Sequence, residues 1–145
     1  MKLTRRILLA APGALLLPAS TRADQQRLAA ALREFTGGQP MREGRVRLEV
    51  SPLVENGNAV PISVAVESPM TAADHVRRIG VFNERNPQPN VITAQFGPRS
   101  GRAYLATHIR LATSQALVAV AEMSDGSFWS QRVDVVVTLA ACIEG

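Results

Sequence analysis

From Arg45 to Thr138 the apolar residues recur with period two, in short runs separated by turn-forming residues. Such a chain offers one apolar face per run, and those faces are buried by stacking sheets rather than by bundling helices. The runs are Arg45–Val50, Val60–Ser68, Val76–Asn83, Val91–Gly97, Arg102–Leu111, Ala116–Met123 and Ser127–Thr138. Between them stand Ser51-Pro52, Asn56-Gly57-Asn58, Ser68-Pro69, Asn86-Pro87-Gln88-Pro89-Asn90, Gly97-Pro98-Arg99-Ser100-Gly101 and Ser124-Asp125-Gly126. Glycine, proline and asparagine in those places favour chain reversal. Seven short strands spaced by roughly 8–12 residues predict a mainly β chain, an immunoglobulin-like β-sandwich. The disulfide and tryptophan hallmark of antibody domains is absent.

Alternation puts Val60, Ile62, Val64 and Val66 on one face of their strand. Ala116–Ala121 is apolar on both faces, as expected of a central strand or one covered by a partner. Gly97–Gly101 reads as a hairpin loop whose Arg99 and Arg102 are solvated, and Ser124–Ser127 reads as a turn. Thr71–His75 fits either a helical turn or a loop.

Upstream, Leu28, Ala31, Leu32 and Phe35 fall at helical spacing, with Asp24 as candidate N-cap and Gly37-Gly38 as the stop. This predicts one amphipathic helix ahead of the sandwich. The first 23 residues have a basic start, an apolar middle and small residues before Asp24. That is the layout of a cleaved export signal, broken by Pro12, Gly13 and Pro18 and too short to span a membrane. Arg5-Arg6 followed by Ile-Leu-Leu fits twin-arginine export and the general secretory route alike. The expected layout is therefore a signal at 1–23, a helix within 24–38, a sandwich over 39–138 and a short tail at 139–145.

The charge balance follows from that division. Four of the 16 basic residues (Lys2, Arg5, Arg6 and Arg22) lie in the leader and all 12 acidic residues lie after it, so the remainder is formally neutral. Scattered arginines and few aromatics supply no basic face for nucleic acid. No nucleic-acid partner is expected.

Chemistry is sparse along the sandwich. His75 and His108 stand far apart with no cysteine near either, so no metal and no cofactor is expected. Phosphate loops, nucleophile elbows and zinc-protease signatures are missing from the sequence, as is an evident carboxylate pair. The remaining candidate is Cys142, the single cysteine. An unpaired cysteine in an exported chain points to intermolecular or reactive chemistry. The bland reading is a small buried residue closing the last strand. Its place four residues past Thr138, a reach of roughly 13 Å if extended, favours an exposed thiol instead.

Several segments bear a family resemblance. Pro52-Leu53-Val54-Glu55-Asn56-Gly57 with Val60-Pro61 resembles a P-x-x-A-E-N-G…V-P stretch of SoxY, the substrate-carrying subunit of the SoxYZ complex of bacterial sulfur oxidation. Glu67-Ser68-Pro69-Met70, Asn86-Pro87-x-Pro89, Ile109-Arg110-Leu111-Ala112-x-Ser114-Gln115 and Ser124-Asp125-Gly126-Ser127 are similar to further SoxY segments in the same order. The resemblance implies a periplasmic, non-enzymatic carrier that pairs with a SoxZ-like sandwich subunit. It implies sulfur intermediates held covalently on Cys142 and acted on by separate sulfur-oxidation enzymes or cytochromes. Two other classes stand beside it. One is an immunoglobulin-like binding or accessory module in which Cys142 is incidental; the other is an enzyme using Cys142 as nucleophile, which no neighbouring histidine supports.

The departure from the family falls on the tail. SoxY ends in Gly-Gly-Cys-Gly-Gly, whereas this chain has Ala140-Ala141-Cys142-Ile143-Glu144-Gly145, similar to a SoxY-related group with an Ala-Ala-Cys-Ile-Glu arm. Alanines narrow the backbone choices that glycines leave open, and Ile143 adds branched bulk beside the sulfur. Glu144 and the chain-end carboxylate place like charge near the thiol, which disfavours the thiolate. Glu144→Gln is therefore expected to lower the thiol pKa measurably, read as alkylation rate against pH. A titration curve identical to wild type would show that solvent screens the carboxylate completely.

Overall fold

The computed structural model describes residues 19–139 and 141, with side chains from Arg22 onward. One helix, α1 (Ala19–Thr36), precedes nine strands: β1 (Met41–Glu43), β2 (Val46–Glu49), β3 (Leu53–Val54), β4 (Val60–Val66), β5 (Val76–Asn83), β6 (Asn90–Gln95), β7 (Tyr104–Ile109), β8 (Gln115–Met123) and β9 (Phe128–Val137). The larger sheet runs β1-β9-β8-β5-β6, with β3 also paired to β9, and the smaller runs β2-β4-β7. The fold is an immunoglobulin-like sandwich, and all seven expected strands are present.

Between the sheets lies the main core. Val60, Ile62, Val64 and Val66 of β4 meet Leu117, Ala119, Ala121 and Met123 of β8, together with Val76, Ile79 and Val81 of β5. A register shift between Val76 and Arg78 lets β5 change phase, so that odd-numbered residues follow Val76 into the same core. The opposite face of β8 carries Val118 and Val120, which pack with Phe82 and Phe128 under Leu28 and Phe35 of α1. The helix is what makes β8 apolar on both faces. Phe35 stands edge-on to Phe82 with ring centres 5.3 Å apart. Gly80 leaves the room for this pair, because a Cβ there would come within 2.7 Å of the Phe82 ring and 2.9 Å of the Phe35 ring. Arg78 completes the helix contact, donating to the Phe35 carbonyl at 3.0 Å and pairing with Glu122.

The differences from the sequence reading have physical causes. Helix α1 begins upstream of Asp24, which is not its N-cap but an interior residue paired with Arg27. Ala-Ser-Thr-Arg-Ala before it contains nothing that stops a helix. The C-terminal stop is as expected: Gly37 and Gly38 have φ of 62° and 84°, and the Gly38 N–H returns to the Arg33 carbonyl at 3.1 Å. Gly97–Gly101 does turn, with the Ser100 N–H on the Gly97 carbonyl. It is not a hairpin, because β6 pairs with β5 in one sheet and β7 with β4 in the other. Turn residues specify a reversal and leave the choice of strand partner to packing. Strands β1 and β3 were not expected. Each is too short to show a period, and each exists by parallel pairing to one end of β9. Thr71–His75 is a loop without helix.

Candidate functional site: the root of the cysteine arm

The five segments singled out in the sequence separate to the two ends of the sandwich. At the end away from Cys142's strand exit sit Ser68–Met70 and Ser124–Ser127, bridged by the loop before β5. Ser124 donates its N–H to the His75 carbonyl at 2.7 Å and its hydroxyl accepts the His75 N–H at 3.0 Å. Asp125 accepts the Ser127 hydroxyl at 2.6 Å and its N–H at 2.9 Å, and these two bonds hold the carboxyl below the usual range. Ser127 also receives the Trp129 indole N–H at 3.1 Å. These groups are spent on a turn, the structural role expected of them. His75 is tied to the Thr71 carbonyl at 3.0 Å, and His108 lies exposed on β7 opposite Pro61. The two histidines are not brought together.

The other three segments converge where β9 ends. Val137 donates its N–H to the Ser114 hydroxyl at 2.8 Å, and Thr138 donates to the Val54 carbonyl at 2.9 Å. Beyond the last strand residue the chain remains attached. The Gly57 N–H reaches the Leu139 carbonyl at 2.8 Å, the Leu111 N–H reaches the Gly57 carbonyl at 2.8 Å, and the Ala141 N–H reaches the Leu111 carbonyl at 3.1 Å. Gly57 is thus linked to both strands of chain that it touches. Its place admits no side chain: a Cβ would meet the Leu111 oxygen at 2.4 Å and the Ala141 nitrogen at 2.9 Å.

A partly buried polar network, with Asn83 and Gln115 buried and Asn86 half-buried, holds the Leu111 loop from behind. Asn86 donates to the Arg110 carbonyl at 2.7 Å and accepts the Ala112 N–H at 3.0 Å, so it grips the peptides on either side of Leu111. Gln115 donates to Asn86 at 2.8 Å and to the Thr113 carbonyl at 3.0 Å, and accepts the Arg85 N–H at 2.9 Å. Asn83 holds the 84–89 loop that carries Asn86, accepting the Asn86 N–H and donating to the Gln88 carbonyl. Inside a poorly solvated site each of these groups is costly to leave unpaired. The sequence signal for them was available: Asn83 and Gln115 are polar residues ending two strongly apolar strands.

Of the arm residues named from sequence, Ala141 is described, 8% exposed and anchored as above. Cys142, Ala140, Ile143, Glu144 and Gly145 lie outside the described residues, as do residues 1–18 of the expected signal. Around the root, Leu53, Val136 and Leu139 are 56%, 54% and 61% exposed. Leu53 and Val136 are partners in register and so share a face. Among the described residues no three His, Cys, Asp or Glu side chains gather as a metal site, and no helix is long and apolar enough to cross a membrane.

Comparison with solved structures places this architecture among known ones. The sulfur carrier protein SoxY from Chlorobium limicola f thiosulfatophilum superposes with a TM-score of 0.69 at 22% identity, over 82% of this chain and 98% of that one. A superoxide reductase (neelaredoxin) from Ignicoccus hospitalis gives 0.58 at 20% identity, over 65% and 80%. The superoxide reductase from Nanoarchaeum equitans gives 0.56 at 10% identity, over 66% and 100%. These likenesses are of fold. No curated protein sequence matches the chain significantly. The sequence profile of the sulfur oxidation protein SoxY matches residues 32–142, a stretch that takes in every segment of the arm root and runs through Cys142, and by that match the chain belongs to the SoxY family.

Proposed function

We propose that this protein is a covalent sulfur carrier, holding sulfur intermediates on the thiol of Cys142 and presenting them to separate enzymes. The observation that carries this reading is the arm root. Two segments distant in sequence, Pro52–Gly57 and Ile109–Gln115, fasten the chain as far as Ala141, the residue before the single cysteine. A fold that secures its chain up to the residue before one thiol suits a handle.

On this reading the carrier supplies the thiol and others supply the redox chemistry. Joining thiosulfate to the thiol forms one S–S bond, releases the thiol proton and delivers two electrons to a partner cytochrome or enzyme. An enzyme that reaches Cys142 must approach this end of the sandwich, where Leu53, Val136 and Leu139 offer it apolar surface. Export through the 1–23 leader would place the carrier in the periplasm, and a SoxZ-like sandwich subunit would be its standing partner. Ala140 and Ala141, with Ile143 and Glu144 after the thiol, point to a docking partner other than one built for Gly-Gly-Cys-Gly-Gly.

Intact mass of the protein purified from its native periplasm tests the reading. Sulfur-sized additions that a reductant removes are expected in cells oxidising sulfur compounds. Free thiol alone under those conditions would overturn it.

A further inference from the structure

We propose that the end of the sandwich opposite the arm root carries a docking groove for an acidic segment of a partner protein. The proposal makes no use of Cys142 and stands apart from the carrier reading. A cavity of about 400 Å3 opens there, with Arg45, Arg47, Arg102, Tyr104, Glu49 and Glu67 in its lining. Strand β9 runs from Phe128, beside this end, to Val137 at the arm root, so the groove lies roughly 30 Å from the arm.

Three guanidiniums and two carboxylates line the cavity, and Arg47 pairs with Glu49 at 2.9 Å. That leaves Arg45 and Arg102 against Glu67. Neither arginine side chain makes an ion pair or a hydrogen bond with the described residues. Aromatic rings hold them instead: Arg45 stands 5.3 Å from the Trp129 ring centre and Arg102 stands 5.0 Å from that of Tyr104. Arg42 adds a third stacked cation, 5.6 Å from the same tryptophan. Stacking uses the face of a guanidinium and leaves its N–H edge for a carboxylate.

The backbone is strained to put Arg45 in place. Its φ is 56°, and the Val46 N–H returns to the Gly44 carbonyl at 2.6 Å across it, a γ-turn of the rare form. The Glu67 N–H holds the Arg45 carbonyl at 2.8 Å. Glycine would sit there unstrained, and strain of this kind clusters at ligand-binding sites. The placement of the two cations selects the ligand. Arg45 adjoins β2 and Arg102 precedes β7, on either side of β4, and their rings belong to different sheets. Two guanidiniums fixed on separate rings do not close on one small ion. They match carboxylates spaced along a peptide segment. Glu67, exposed at the end of β4 between them, repels the same segment and keeps the contact weak and salt-sensitive.

Fluorescence anisotropy of a labelled hexaglutamate peptide, titrated with the full mature chain at low salt, tests the groove. Arg102→Ala and Arg45→Gly are each expected to weaken binding up to about fivefold, and Glu67→Gln to strengthen it roughly twofold. Glycine suits the positive φ at residue 45, so Arg45→Gly should unfold at or above the wild-type temperature and its lost binding is not lost fold. Wild-type affinity in a folded variant carrying both arginine substitutions would overturn the groove, as would failure of the wild-type chain to bind the peptide. Sulfate displacing the peptide at equal concentration would mark a small-anion site and overturn the acidic-segment partner. Cys142→Ser is expected to bind the peptide as wild type does, so this result and the periplasmic mass measurement fail independently.

Discussion

Cys142→Ser is expected to abolish sulfur loading entirely while leaving the unfolding transition where it is. No second thiol exists to take over, because Cys142 is the one cysteine of the sequence. A serine hydroxyl is not ionised near neutral pH and cannot form the S–S bond that defines the loaded state, so the loss should reach background rather than a fraction. Stability should change by less than about 0.5 kcal/mol, because serine and cysteine differ little in volume and the described anchors of the arm root, up to Ala141, are bonds of other residues. The measurement is intact mass alongside thermal unfolding, followed by turnover of the partner enzymes with the variant as substrate. A sulfur adduct persisting on Cys142→Ser would assign the cargo to another group. An adduct lost together with the fold would show that the residue is structural.

Phe82→Ala is expected to cost about 3–5 kcal/mol, the largest single effect on the fold. Phe82 is 1% exposed and forms the floor on which α1 rests. Its ring meets Phe35 edge-on, and Phe35 in turn meets Phe128 at 6.2 Å. Removing it leaves a cavity above Gly80, where the neighbouring glycine has no side chain to fill the space. Arg78, stacked 4.2 Å from the Phe35 ring centre, loses the platform that keeps its guanidinium toward Glu122. For a domain of total stability near 5–15 kcal/mol this lowers the midpoint by on the order of 15 °C. Denaturant titration followed by helical signal and by Trp129 fluorescence measures it. A cost under about 1 kcal/mol would show that the helix does not depend on this aromatic contact. The contrast between the two variants is informative: the first is expected to remove sulfur loading and keep the fold, the second to loosen the fold under the helix.

What was legible in the sequence was whatever repeats locally. Val60, Ile62, Val64 and Val66 declare their face by alternation, and Ala116–Ala121 declares a strand covered twice, before the covering helix is seen. Elimination singled out Cys142 as the candidate site, and that residue lies outside the described part of the chain. Pairings across long stretches were not legible. Asn56-Gly57-Asn58 carries ordinary turn chemistry, with the Asn56 side chain accepting the Asn58 N–H at 2.9 Å, and that local role conceals what Gly57 does. Its bonds to Leu139 and Leu111 join residues far apart in the chain, and no periodicity encodes them. The same holds for β1 and β3, whose pairing is decided by the length of β9, and for the strands flanking Gly97–Gly101, which a correct turn sends into different sheets. Family resemblance marked these segments as related without saying that three of them meet.

The two short strands have a mechanical consequence. At the arm end, β9 is bonded on both sides, to β8 through Gln115 and Val135 and to β3 through Leu53 with Val136 and Val54 with Val137. Those bonds lie across the strand axis. On the carrier reading proposed above, a partner that draws Cys142 into its own interior would pull along that axis, so the bonds on both flanks would share the load in shear rather than parting one after another. Tension applied past Thr138 would meet a strand that resists as a unit.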